Sequence, residues 1–95
     1  MSLPTDGWKN KGGTGDRVCT TCGTWKQHWI NRSGKTWPTA CSVEGCYESP
    51  TVGAHIYHPD VTGEKIVPMC TSCNGLGSGF NLKGGVTTVP AEQCS

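Results

Sequence analysis

The residues best equipped for chemistry are seven cysteines, six of which fall into three close pairs: Cys19-x2-Cys22, Cys41-x4-Cys46 and Cys70-x2-Cys73. A Cys-x2-Cys pair in a tight turn aims two sulfurs at one point. Two such turns complete a tetrahedral site for a thiophilic ion, Zn²⁺ foremost. Cys41, Cys46, Cys70 and Cys73 form the most economical set, because a hairpin between the two pairs brings them together without a long loop. A second ion would start from Cys19 and Cys22, with His28, His55, His58 and Cys94 as the remaining donors. His28, near its knuckle in sequence, and Cys94, returning along the last segment, are the expected partners. Other pairings fit the sequence too, including Cys19/Cys22 with Cys70/Cys73. A closed four-cysteine site has no open coordination position, so it builds structure and does no chemistry.

Composition agrees with a metal-built fold. The chain has 95 residues, the size of one small domain, with 34% hydrophobic residues, a single Phe and 14 glycines. Ordering a backbone costs roughly 1–2 kcal/mol per residue, and so little apolar material struggles to offset that. Structural zinc supplies about 10–16 kcal/mol of apparent binding energy in small finger peptides. A disulfide framework is the competing use of cysteine. The odd count and an N-terminus without an apolar export segment favour zinc in a reducing cytoplasm. No stretch is long and apolar enough to span a membrane.

The elements that must position these donors are short. Residues 1–16, rich in Gly, Lys and Thr, are expected to be a flexible arm ahead of a single zinc-binding domain over 17–95. One or two helical turns are expected over residues 24–30, followed by a polar turn over 31–35. Residues 51–57 and 65–69 have strand composition and flank a turn, so 51–69 predicts a hairpin leading directly into the Cys70 knuckle. The glycines after Asn74 oppose a long helix. Residues 80–82 and 86–89 around Lys83-Gly84-Gly85 suggest a closing hairpin. His58, beside Pro59 in a turn, is expected to face solvent. The fold class is therefore small, β-rich α+β, with hairpins and short helical turns pinned by two zinc ions.

The string Cys41-x4-Cys46, Gly53-Ala54-His55-Ile56 and Ile66-Val67-Pro68-Met69-Cys70-x2-Cys73-Asn74 resembles the zinc-bearing core of HNH nucleases, a treble-clef-related fold. The resemblance covers residues 41–74; the wider pattern is similar to small bacterial zinc proteins with that core. It implies a bacterial or phage origin and places His55 at the family's general base, with Asn74 at its final metal-binding position. The sequence departs from the pattern elsewhere. Ala54 offers no ligand atom before the base, Lys65 stands where an orienting asparagine belongs, and glycines replace the completing helix. A degenerate core without catalytic residues is expected. The alternative is a metal-dependent HNH-like endonuclease using His55 and Asn74.

Recognition falls to the N-terminal third. All four tryptophans (Trp8, Trp25, Trp29, Trp37) lie within residues 8–37, interleaved with Lys9, Lys11, Arg17, Lys26, Arg32 and Lys35. Aromatic faces stack on unpaired bases while cations track phosphates. Formal charge is +4 over residues 1–37 and −3 over the rest. The expected surface for DNA or RNA comprises Trp25, Lys26, Arg32, Lys35 and Trp37. At least one of Trp25 and Trp29 is needed for the core; Trp8 and Trp37 are available for exposure. A monomeric binding module follows, with protein–protein interaction as a further alternative.

Overall fold

The computed structural model describes residues 4–11 and 23–91. Its centre is the predicted hairpin. Strand β2 (Val52–Tyr57) pairs antiparallel with β3 (Lys65–Met69), with Ala54 opposite Val67 and His55 opposite Ile66. Two short strands extend it, β1 (Lys9–Asn10) beside β2 and β4 (Val89–Pro90) beside β3, so the antiparallel sheet runs β1-β2-β3-β4. Helix α1 (Trp25–Ser33) crosses the sheet, and α2 (Thr71–Asn74) is a single turn directly after β3.

Alternation along the strands gives the sheet two covered faces. Ala54, Ile56, Val67 and Met69 pack with Trp8, Phe80, Leu82 and the cysteines Cys41, Cys70 and Cys73. Ile66 packs on the other side with Trp29 and Val89, against which Trp25, Ile30 and Trp37 lean. Helix α1 thus occupies one face and the cysteines the other.

The ends of α1 follow capping chemistry. The Thr24 hydroxyl accepts from the Gln27 N–H at 3.0 Å, and Gly34 closes the helix in the left-handed conformation with its N–H on the Ile30 carbonyl. The helix therefore continues through Asn31, Arg32 and Ser33, where a polar turn was expected. Asn31 and Arg32 are exposed and Ser33 is half-buried, so this last turn carries none of the buried residues of the helix.

Two other expectations change. Residues 4–11 are built into the fold: Trp8 is fully buried, exchanges both backbone hydrogen bonds with Phe80, and donates its indole N–H to the Pro4 carbonyl at 2.8 Å. A chain with one Phe uses this tryptophan as core, so the flexible arm gives way to an edge strand here. Residues 80–82 and 86–89 do not pair with each other. Phe80 bridges Trp8, Leu82 bridges Val43, and Val89 pairs with Ile66.

Candidate metal centre

The first knuckle leaves the segment after α1. The Cys41 N–H donates to the Glu48 carbonyl at 2.8 Å and the Cys46 N–H to that of Val43 at 3.0 Å, closing a tight loop. Gly45 occupies φ +85°, a conformation side chains resist, within that turn. The second knuckle begins where β3 ends. Cys70 takes the N-cap position of α2, and the Cys73 N–H points at its sulfur at 3.4 Å. The Cys70 N–H points at Cys41 Sγ at 3.5 Å, joining the two loops.

These turns bring Cys41, Cys46, Cys70 and Cys73 together, with all four sulfurs within 4.8 Å of one another. Cys46 Sγ and Cys70 Sγ are 3.7 Å apart. Metal–sulfur bonds of about 2.3 Å in a tetrahedron require sulfur–sulfur edges of about 3.8 Å, so this cage fits a divalent ion with small adjustments. Cys41, Cys70 and Cys73 are buried and Cys46 is partly so; all four thiols are free. Four cysteines close together could hold a metal ion.

Electrostatics gives the same fit. Burial pushes the Cys41 thiol above its ordinary range, and burial followed by the neighbouring sulfurs pushes Cys73 well above it. Burial also opposes ionisation of Cys70, but the Cys73 N–H and the adjacent thiols outweigh it and hold that group lower. Four such groups cannot all ionise side by side in a low dielectric. A divalent cation at their centre removes that repulsion and lets the thiolates form.

Of the donors expected at a second site, Cys19, Cys22 and Cys94 lie outside the described residues. His28 is buried in α1 with Nε2 2.9 Å from the Pro90 carbonyl. A carbonyl only accepts, so Nε2 is the ring nitrogen that donates in this contact. His58 is not the exposed turn residue expected. Its Nε2 meets the Asp6 carbonyl at 2.9 Å, its Nδ1 accepts from the Asp60 N–H at 3.0 Å, and Trp8 packs edge-on to the ring. The N-terminal segment folding over the hairpin turn buries it.

His55 sits in the middle of β2 and is 4% exposed, with the Trp25 ring edge-on at 4.2 Å. It lies on the α1 face, whereas the cysteines lie on the other. Asn74 is exposed at the end of α2. Among the expected recognition residues, Lys26, Arg32 and Lys35 are exposed, and Trp25 and Trp37 are half-buried. Lys26 Nζ lies 5.0 Å over the Trp37 ring, whose N–H donates to the Pro50 carbonyl.

Sequence reasoning missed two side chains that hold the knuckles. Lys83 Nζ donates to the Cys46 carbonyl at 2.5 Å, and Asn10 Nδ2 donates to the carbonyls of Cys73 (2.8 Å) and Leu76 (3.1 Å). Neither is near its partner in sequence, so spacing gives no signal. No family model, curated protein or solved structure matches this chain. No helix among the described residues is long and apolar enough to cross a membrane.

Proposed function

We propose that the protein is a zinc-structured binding module that contacts nucleic acid through the outer side of α1 and the segment after it. The observation that carries the metal half is the convergence of four cysteine sulfurs on one point. An all-thiolate, tetrahedral donor set suits Zn²⁺ among the common divalent ions. With every position filled by protein, the ion's role is to fold the chain. A hairpin between the two cysteine pairs, running straight into α2, supports kinship with the HNH-like, treble-clef-related core.

A second zinc at Cys19, Cys22, His28 and Cys94 is part of the proposal. Its support is positional: His28 bonds to Pro90, four residues before Cys94, and Thr24 caps α1 two residues after Cys22. In native mass spectrometry, His28→Ala is expected to lose one of two ions, while His55→Ala keeps both. Equal ion counts in wild type and His28→Ala would remove His28 from the ligand set.

The nucleic-acid half rests on the exposure of Lys26, Arg32 and Lys35 on and just after α1, with Lys26 lying over the half-buried Trp37 ring. Beside them runs a groove of about 370 Å³ between residues 35–42 and 83–87, with Lys35 and Lys83 but no acidic side chain in its lining. Phosphate contacts release counterions, so affinity should fall steeply with salt. Lys26→Ala/Arg32→Ala is expected to weaken single-stranded DNA or RNA binding and flatten its salt dependence by about one to two contacts. Unchanged affinity and slope would show the surface to be elsewhere, and no binding by the wild type would favour a protein partner. Catalysis by His55 would require water to reach a ring that Trp25 covers. Wild-type protein with Mg²⁺ or Mn²⁺ is therefore expected to leave plasmid DNA intact.

A further inference from the structure

Each cysteine knuckle of the metal centre is tied from outside by one side chain of a distant segment. Residues 81–83 run alongside the first knuckle: the Glu44 N–H donates to the Asn81 carbonyl at 2.8 Å, and Leu82 bridges Val43. Lys83 then grips the knuckle at two places. Its backbone N–H donates to the Ser42 carbonyl at 2.9 Å, next to Cys41, and its Nζ reaches the carbonyl of Cys46 itself at 2.5 Å. The ammonium also lies 4.5 Å over the ring of Tyr47. At the second knuckle, Asn10 in β1 binds the Cys73 and Leu76 carbonyls with one amide nitrogen, just where α2 ends.

We propose that Lys83 and Asn10 are positioning residues of the metal centre, holding the Cys41–Cys46 and Cys70–Cys73 loops in their ligating shape and thereby setting how long the ion is retained. The proposal rests on the metal reading above. The two residues are not equivalent. An ion held by four thiolates carries a net charge of about −2, and the Lys83 ammonium offsets part of it beside the least buried ligand, Cys46. Asn10 contributes geometry without charge. Outer partners of this kind commonly change metal affinity by about 10–100-fold.

The test is Co²⁺ uptake and release, read from the thiolate-to-metal absorption, for the wild type, Lys83→Gln, Lys83→Arg and Asn10→Ala. Wild type should show a four-sulfur tetrahedral spectrum. Lys83→Gln should release the ion to a chelator at least about tenfold faster, with the difference shrinking at high salt because the lost contribution is charge. Lys83→Arg should recover most of the retention, and Asn10→Ala should release faster at every salt concentration. A purely architectural Lys83 would make glutamine and arginine variants equally defective and salt-independent. That result, or release rates within about twofold of wild type for both Lys83→Gln and Asn10→Ala, would overturn the proposal. Wild-type protein that takes up no Co²⁺ would overturn the metal reading itself.

Discussion

Single residues decide whether the centre forms and whether the sheet can be covered. Burial pushes the Cys41 and Cys73 thiols above their ordinary range, so an ion bound there must compete with protons. The sign follows: acid favours the protonated, metal-free thiols, and base favours the complex. Metal affinity is expected to rise steadily from about pH 6 to about pH 8, with more than one proton released per ion. An affinity flat across that range, measured by chelator competition, would contradict the assignment of thiols as ligands. At Gly53 the constraint is steric. A Cβ there would lie 2.6–2.8 Å from the Trp25 carbonyl group and the Lys26 nitrogen, all backbone atoms that cannot yield separately from α1. Gly53→Ala is expected to cost about 1–3 kcal/mol. Gly84→Ala, whose Cβ would meet nothing within 4 Å, serves as the control in the same denaturant series. Equal stability of the two variants would show that α1 does not sit tightly on β2. The described cysteines were legible in the sequence because ligand spacing is local. Trp8 and His58 were not, since each is buried by a segment whose approach leaves no periodic trace.

Among the elements, the central hairpin was the most legible. Runs of Val, Ile and Tyr on either side of a Pro/Gly-containing turn favour paired strands, and β2 and β3 form within a residue of the expected limits. Helix α1 was visible at its start, where Thr24 caps it, but its polar last turn resembles a loop in sequence. Its attachment depends on Trp29, which is buried, donates its indole N–H to the Thr87 carbonyl at 2.9 Å and packs edge-on against Trp37. Trp29→Ala is expected to destabilise the protein by about 3–5 kcal/mol, through the cavity and the lost donor. Denaturant unfolding measures this, and a loss below about 1 kcal/mol would mean that α1 is held by other contacts. The C-terminal segment misled for a physical reason. Residues 80–89 contain two strand-like pieces around a Lys-Gly-Gly turn, yet the first is claimed by Trp8 and Val43 and the second by Ile66. Competition between partners is a tertiary matter that local composition cannot decide.

At the scale of the molecule, a four-stranded sheet carries a helix on one face and a cysteine cage on the other. The cage joins the segment before β2 to the turn after β3, while Lys83 and Asn10 extend that junction to the two outer segments. A metal held there would be coupled to the fold, because Cys41, Cys70 and Cys73 are themselves part of the larger core cluster and Cys46 packs against it. Chelation should expose Trp8 and Met69 and loosen the hairpin, while the polar face of α1 needs no ion to remain in water. The most direct measurement is native mass spectrometry with elemental analysis on the wild type, Cys46→Ser and Cys73→Ser, each followed by a thermal melt with and without chelator. Zinc in the wild type, one ion fewer in each variant and a melt that collapses on chelation are the results expected. A wild-type protein that is metal-free, melts cooperatively and ignores the chelator would contradict the central claim.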